Sequence, residues 1–188
     1  FCRPSSVRAL PYLQAWPERY EQHGLRVISV HAPGYPVGSD EEAVTAAVAR
    51  LGLTHPVMLD TQHELWMEYG NQGWPARYLW NGRLRLVDYH YGEGAYDETE
   101  RAIQEQLGLD EELVGYVRPE DDPDALIVVP SVSHEGLWSG PYAAGGVWAA
   151  FAGAGTITVN GEERAIDWPG ARPLIEHAHH TESVLDLQ

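Results

Sequence analysis

Strand-like and helix-like runs alternate through the first 108 residues, and few folds accommodate such an order. Residues 25–31 are a β-branched run that predicts a buried strand, and residues 43–51 place their apolar side chains on one helical face behind a capping box. An Asn-Gly pair at 81–82 predicts a hairpin between two further strands, residues 76–80 and 83–91. Because parallel strands need crossover helices between them, the order predicts an α/β sandwich.

Three more helices and one short apolar run complete this prediction. The helices are predicted at residues 7–20, 63–69 and 98–107, and the apolar run at residues 56–59. Pro11 and Pro17 lie inside the first helical run, so we expect them to kink or divide that helix. Asp97 is the expected N-cap of the last helix, and Gly108 is its expected stop.

Composition changes after this region, which predicts a domain boundary. Residues 1–108 carry nine Arg and 14 acidic residues, whereas residues 109–188 carry three Arg and 14 acidic residues. We therefore predict a first domain over residues 1–108, a linker over 109–125 and a β-rich domain over 126–188. The linker prediction rests on an acidic segment punctuated by two prolines, residues 119–124, which is typical of exposed chain.

Short β-like runs separated by turn residues make up the last part of the sequence. They predict a small antiparallel β domain with Asn160-Gly161 as its clearest turn. The predicted strands are residues 126–129, 147–151, 156–159, 163–166, 173–176 and 183–187. Neither an initiator Met nor a signal peptide begins the sequence, and we expect both of its ends to be incomplete, with the β-rich domain cut short at Gln188.

The charge of the chain argues against several classes of partner. The formal net charge is -16, which disfavours nucleic acid and anionic membrane surfaces, because binding to either needs clustered basic residues. No apolar run approaches the roughly 20 residues that a bilayer span requires. All 12 basic residues are Arg, so mechanisms that use a Schiff-base lysine or a P-loop lysine are excluded as well.

Five segments of the first domain carry a family resemblance: residues 10–13 (LPYL), 24–31 (GLRVISVH), 55–60 (HPVMLD), 74–79 (WPARYL) and 92–96 (GEGAY). Together they resemble the thioredoxin superfamily, and more closely the TlpA-like and DipZ-like redoxin domains that continue into a C-terminal β domain. The resemblance implies a thioredoxin-like three-layer α/β sandwich followed by a smaller all-β domain. It implies no cofactor, and as partner a thiol- or disulfide-containing protein or a small thiol. It suggests an extracytoplasmic location, while a cytoplasmic location and the oligomeric state stay open.

Domains of this family carry a C-x-x-C-x-x-x-x-P motif, in which a thiolate at a helix N-terminus attacks a disulfide and a second thiol resolves the mixed disulfide. Taking Pro11 as the motif proline places Arg3 and Ser6 at the two cysteine positions, with Cys2, the only cysteine, one residue early. A register shifted by one gives a C-x-x-S monothiol pattern that begins at Cys2, but it leaves one residue too many before Pro11. An intramolecular disulfide is excluded in either register.

Two functions follow from these registers. The first is thiol-disulfide oxidoreductase chemistry with a degenerate dithiol motif, carried by Cys2 alone. The second is a redox-inactive binding module that uses the groove beside Trp74 and Pro75. Pro75 matches the proline that follows a cis peptide bond in this family, and Trp74 then either contacts a thiol substrate or peptide or merely covers the core. A peroxidase of the peroxiredoxin type is a lesser alternative, because the P-x-x-x-T-x-x-C motif is absent.

The histidines offer one cluster of metal-ligand types. On a strand, His177 and His179 would face the same side, with His180 next to them. A third ligand cannot be located from the sequence, so we predict no metal site. We expect His31 and His63 to be capping or core-edge residues rather than acid–base catalysts, because no nucleophile with a matched partner can be named.

Overall fold

The computed structural model describes residues 1–124 and 134–188, so the strand predicted at residues 126–129 lies outside the described residues. The first part of the chain follows the predicted order of helices and strands. Its elements are α1 (Pro4–Tyr20), β1 (Ser29–His31), α2 (Glu41–Arg50), β2 (Val57–Leu59), α3 (Glu64–Glu68), β3 (Ala76–Trp80), β4 (Leu86–Tyr91) and α4 (Tyr96–Leu107).

Helix α1 is a single helix although Pro11 and Pro17 lie inside it, so these prolines do not divide it. Pro4 is its first residue, where a backbone N–H would have no helical partner. One face of α1 is buried against α4, and the side chains of this core are Ala9, Tyr12, Trp16, Tyr20, Tyr96 and Ile103. Burial of each large apolar side chain contributes roughly 1.5–3 kcal/mol, which offsets the hydrogen bonds that the internal prolines remove.

The four strands of the first part form two pairs. Strand β1 runs parallel to β2 and β3 runs antiparallel to β4, and within the described residues the two pairs share no ladder. Both pairs and helix α1 line a cavity of about 570 Å³. Strand β1 covers only Ser29–His31, and Ile28 and Val30 are 63% and 48% exposed. The prediction of a buried strand over residues 25–31 is therefore wrong in both length and burial. Strand β1 is paired along one edge only, which leaves its side chains partly exposed.

Local signals set the ends of several elements, with small differences from the prediction. The Asp40 side chain caps α2 by accepting hydrogen bonds from two backbone N–H groups. The β3–β4 hairpin forms, but its turn is longer than the Asn-Gly pair: Leu84 has a φ of 55°, and the Asn81 side chain accepts two backbone hydrogen bonds. Helix α4 has Ala95 rather than Asp97 at its N-cap.

The last part of the described chain is an antiparallel β unit. Its strands are β5 (Gly140–Phe151), β6 (Gly155–Val159), β7 (Glu162–Ile166) and β8 (Gly170–Leu185). Strand β5 pairs with β8, and β6 pairs with β7 around the predicted turn, where Asn160 and Gly161 have φ values of 51° and 84°. The strands predicted separately at residues 173–176 and 183–187 belong to one strand, β8, because its partner β5 is long enough to pair with both.

The segment between the two parts packs on α1. The Tyr12 hydroxyl donates a hydrogen bond of 2.7 Å to the Asp121 carboxylate and accepts one of 2.8 Å from the N–H of Val117. Arg118 pairs with the same carboxylate at 3.2 Å. Asp121 is buried, whereas the acidic composition of this segment predicts exposed chain. Burial is tolerated here because the charge is both paired and hydrogen-bonded.

The two parts also meet at the beginning of the chain. The N–H of Ala171 donates a hydrogen bond of 2.9 Å to the carbonyl oxygen of Phe1. The Phe1 ring stacks on His31 with 5.5 Å between the ring centroids. Among the described residues, no strand of the first part pairs with a strand of the β unit. The β unit therefore docks on the first part without extending its sheets.

Candidate functional site

The first turn of α1 lies against a cis peptide bond. The bond between Trp74 and Pro75 is cis, as the sequence predicts. The Ser5 hydroxyl donates a hydrogen bond of 3.1 Å to the carbonyl oxygen of Trp74. This contact places Trp74 and Pro75 beside the helix N-terminus, although about seventy residues separate the partners in the sequence.

Arg3 precedes this helix and lies between two aromatic rings. Its guanidinium carbon is 4.4 Å from the ring centroid of Trp74 and 4.7 Å from that of Tyr35. Its Nη2 group donates a long hydrogen bond of 3.4 Å to the Gly34 carbonyl oxygen, and its Nε is buried without a hydrogen-bond partner in the described part of the chain. Cation–π contacts of this kind contribute about 0.5–2 kcal/mol. The rings therefore hold the guanidinium in place at the helix N-terminus.

Side chains from three elements fix the loop that follows β1. The carbonyl oxygen of Ala32 accepts a hydrogen bond of 2.9 Å from Trp74 Nε1, and that of Pro33 accepts one of 3.0 Å from His63 Nε2. The carbonyl oxygen of Gly34 accepts the bond from Arg3. Trp66 stacks on Trp74 with 4.0 Å between the ring centroids. The loop and the two indoles thus form one ordered wall beside Arg3. His63 has a structural role in this wall, as the sequence predicts.

Cys2 is buried beside this wall, with 2% of its surface exposed. Its sulfur lies only 3.0 Å from the position that a β-carbon on Gly38 would occupy. His31 Nε2 lies 3.2 Å from the same position, so the imidazole and the thiol are neighbours. A glycine is required at residue 38 because any larger residue would press on both groups.

The Nε2 nitrogen of His31 is not available to accept the thiol proton. His31 Nε2 is 2.9 Å from the Gly38 carbonyl oxygen, which can only accept a hydrogen bond, so Nε2 carries a proton and donates it. Burial lowers the pKa of His31, which keeps the ring neutral near pH 7. His31 thus has the tautomer of a structural donor, consistent with the prediction that it is not an acid–base catalyst.

Ser6 lies in the first turn of α1, and it is the predicted second cysteine position when Pro11 is taken as the motif proline. Its side chain is half-buried and makes no hydrogen bond within residues 1–124 and 134–188. Arg3, Ser6, Trp66 and Trp74 line the same cavity, together with Cys2 and Pro75. The Ser6 hydroxyl is therefore free to bind a group that enters next to Arg3.

The histidines of the β unit lie on strand β8. His177 Nε2 lies 2.8 Å from the Tyr142 hydroxyl, which occupies one ring nitrogen. In the described part of the chain, no group of three or more His, Cys, Asp and Glu side chains is placed to hold a metal ion.

No described helix is both long and apolar enough to cross a membrane.

Comparison of sequences identifies relatives for about half of the chain. No family model matches. The chain is 35% identical over 100 residues to Protein DipZ of Mycobacterium bovis, a match that covers 53% of this chain and 14% of that protein. It is 29% identical over 99 residues to NHL repeat-containing protein 2 of Homo sapiens, which covers 52% of this chain and 14% of that protein. The chain thus spans a small share of the length of these relatives.

Comparison of structures identifies the fold of the same share of the chain. A thioredoxin-like protein in its oxidized form matches with a TM-score of 0.53 and 21% identity, over 57% of this chain and 72% of that one. A protein assigned as the thiol:disulfide interchange protein DsbE of Chlorobium tepidum matches with a TM-score of 0.52 and 18% identity, over 56% and 73% of the two chains. The chain contains a domain with the thioredoxin-like fold.

The thioredoxin-like domain places most of the predicted site residues on one cavity: Cys2, Arg3, Ser6, Trp74 and Pro75. Two contributors to the site, Tyr35 and Trp66, are not found from the sequence. Trp66 lies on a predicted helix, where an aromatic residue is expected to be core, and Tyr35 lies in a loop without periodicity. The Pro36 that follows Tyr35 is the one local signal of an ordered turn there.

Proposed function

We propose that the thioredoxin-like domain is a redox-inactive binding module that holds a polypeptide segment in the groove beside Trp74 and Pro75. The observation that carries this proposal is the identity of the side chains at the N-terminus of α1. A guanidinium, that of Arg3, lies against Trp74, while the single thiol of the chain, Cys2, is buried against Gly38.

Dithiol chemistry needs two thiols at this helix end. The first thiolate attacks a disulfide, and the second releases the mixed disulfide that results. The chain has one cysteine, and the positions that match the family pair are Arg3 and Ser6. Neither side chain forms a disulfide, so the proposed module binds its partner without exchanging a bond with it.

The wall beside the helix favours binding. Trp74 is anchored through its indole N–H to the loop after β1 and is stacked on Trp66, so its ring is held before a partner arrives. Rigid aromatic side chains lose little conformational entropy on binding and are enriched where proteins meet. This arrangement supports a role for the Trp74 face in contact with a peptide.

Monothiol exchange at Cys2 is the second candidate function. The observation in its favour is the neighbouring imidazole of His31. Two observations oppose it: the thiol is buried, and Nε2 of the imidazole donates a hydrogen bond to the Gly38 carbonyl oxygen. A reactive thiol is normally accessible and has a base or cation beside it, so we place this function second.

Peptide capture tests the proposed function. The immobilised protein is incubated with a pool of random peptides that contain no cysteine, and the retained peptides are quantified by mass spectrometry. We expect the wild-type and Cys2→Ser proteins to retain the same peptides, and Trp74→Ala to retain about tenfold less. Tyr89→Ala is the matched control, because this aromatic side chain is exposed on the same domain and does not line the cavity. Retention that is equal in Trp74→Ala and the wild type would exclude this groove.

A further inference from the structure

We propose that Arg3 and Ser6 bind a carboxylate of the captured polypeptide. The inference rests on the proposed function and adds the chemical class that the groove selects. It assigns a role to the two side chains that stand at the family's cysteine positions. The carboxylate would lie over the first turn of α1, between Arg3 and Ser6, while the adjoining part of the peptide contacts Trp74.

The charge of Arg3 is not compensated by an acidic side chain. Arg8, Arg19 and Arg118, which are also partly buried in the described chain, pair with carboxylates, whereas Arg77 and Arg172 do not. Arg3 has no carboxylate within salt-bridge distance in the described residues and bonds only to one backbone carbonyl. Its Nη1 group makes no hydrogen bond with the described residues and is not fully buried, so it can donate to a ligand. A half-buried cation without a counter-ion is costly, and a ligand carboxylate would remove that cost.

The helix adds to the same positive field. Arg3 stands at the N-cap, where the helix dipole disfavours a cation and favours an anion, and the first turn of α1 contains no acidic residue. The first backbone hydrogen bond of the helix runs from the N–H of Val7 to the carbonyl of Arg3. The N–H groups of Ser5 and Ser6 therefore have no helical partner. A carboxylate beside Arg3 would meet the guanidinium, these N–H groups and the Ser6 hydroxyl together.

The geometry favours a single carboxylate over a polyanion. The aromatic rings of Tyr35 and Trp74 confine the guanidinium, which leaves a narrow planar donor edge that matches a carboxylate. The whole chain has a formal net charge of -16, which repels nucleic acid and other extended polyanions. This repulsion grows with the number of charges on the ligand, so it opposes a single carboxylate in contact with Arg3 much less than an extended polyanion.

Three matched peptide pools test the inference. All contain random pentapeptides without cysteine or any further acidic residue, and all have an acetylated amino end. The first has a central Glu and an amidated end, the second a central Gln and an amidated end, and the third a central Gln and a free terminal carboxyl. Retention of each pool is measured on the wild type, Arg3→Gln, Arg3→Lys, Ser6→Ala and the matched control Arg101→Gln, which removes an exposed arginine of the same domain outside the cavity.

We expect one of the two carboxylate pools to be retained about tenfold better than the uncharged pool, since a hydrogen bond to a charged group is roughly twice as strong as one between neutral groups. The pool with the higher retention identifies the source of the carboxylate as a side chain or a chain end. Arg3→Gln should abolish the gain, Arg3→Lys and Ser6→Ala should reduce it several-fold, and Arg101→Gln should keep it. If Arg3→Gln does not fold, the Arg3→Lys and Ser6→Ala values decide.

Three other outcomes separate the inference from the function on which it rests. Equal retention of all three pools by the wild type overturns the carboxylate site and leaves the peptide groove standing. A gain that persists unchanged in Arg3→Gln, or in both Arg3→Lys and Ser6→Ala, overturns the assignment to these residues. Retention of no peptide from any pool overturns the proposed function, and the inference with it.

Discussion

The Ser5 hydroxyl donates a hydrogen bond of 3.1 Å to the carbonyl oxygen of Trp74. This bond connects the first turn of α1 to the residue that precedes the cis peptide bond. It therefore sets the distance between the helix end that carries Arg3 and the aromatic wall of the groove. The site depends on this contact because the two elements are far apart in the sequence.

Removing this hydrogen bond should reduce peptide binding in the groove more than it reduces the stability of the fold. We expect Ser5→Ala to lower the free energy of unfolding by about 1 kcal/mol, the usual net value of one hydrogen bond. Peptide retention should fall several-fold, since Trp74 loses a contact that positions it. Urea denaturation and the capture assay measure the two effects. Ser39→Ala, at an exposed serine, is the control and should change neither.

The Cys2 thiol should react slowly while the protein is folded. Its side chain is buried, so alkylation by iodoacetamide must wait for a local opening. We expect the folded protein to react on the order of a hundredfold more slowly than the protein in urea, with the rate read by mass spectrometry. Comparable rates in the two states would contradict the burial of Cys2 and favour the monothiol function.

Docking of the β unit should contribute to that protection. The guanidinium carbon of Arg50, in the first part of the chain, lies 3.6 Å from the ring centroid of Trp168 in the β unit. The guanidinium carbon of Arg172 lies 3.5 Å from the same centroid. The nearby Ala171 bonds to Phe1, next to Cys2. We expect Trp168→Ala to raise the alkylation rate of Cys2 several-fold. Trp138→Ala alters the β unit away from Phe1 and should leave that rate unchanged.

Acid should weaken the contact between α1 and the acidic segment. Arg8 bonds to Glu120 at 2.8 Å and to Glu93 at 2.6 Å. Burial acts to raise the pKa of Glu120, but the hydrogen bond and charge of Arg8 outweigh it, so this pKa lies below its ordinary value of 4.5. A lowered folded-state pKa contributes stability above pH 4.5 and loses it as the pH falls through the folded-state pKa.

The Glu120→Gln variant measures how much the charge of this carboxylate contributes to stability. At pH 7 we expect the variant to be less stable than the wild type by about 1–2 kcal/mol, because Arg8 loses a charged partner. As the pH falls through the lowered folded-state pKa of Glu120, the difference should shrink toward zero, since the wild-type carboxyl becomes protonated. Urea unfolding of both proteins across this range measures it. A difference that is constant with pH would assign the contact to packing rather than charge.

Much of the fold can be predicted from the sequence because its signals are local. The Asn-Gly turn at residues 160–161 and the alternation of strand and helix runs need no distant contact, and both predictions are confirmed. The predictions that fail are those that depend on contacts between residues distant in the sequence. Asp121 is buried only because Tyr12 and Arg118 reach it, and residues 173–176 and 183–187 merge only because β5 pairs with both.

The candidate site divides in the same way. The cis bond at Pro75 and its place beside α1 follow from the family resemblance and are confirmed. The cage around Arg3 is not predictable from local pattern, because Tyr35 and Trp74 come from separate loops that tertiary packing brings together. The burial of Cys2 likewise depends on the distant Gly38.

Catalysed reduction of insulin disulfides by dithiothreitol tests the central claim most directly. We compare the wild type, Cys2→Ser and the triple variant Cys2→Ser/Arg3→Cys/Ser6→Cys, which returns two thiols to the first turn of the helix. We predict that the wild type and Cys2→Ser do not accelerate the reaction above the uncatalysed rate, whereas the triple variant does. Robust turnover by the wild type that Cys2→Ser abolishes would contradict the account and make Cys2 a working thiol.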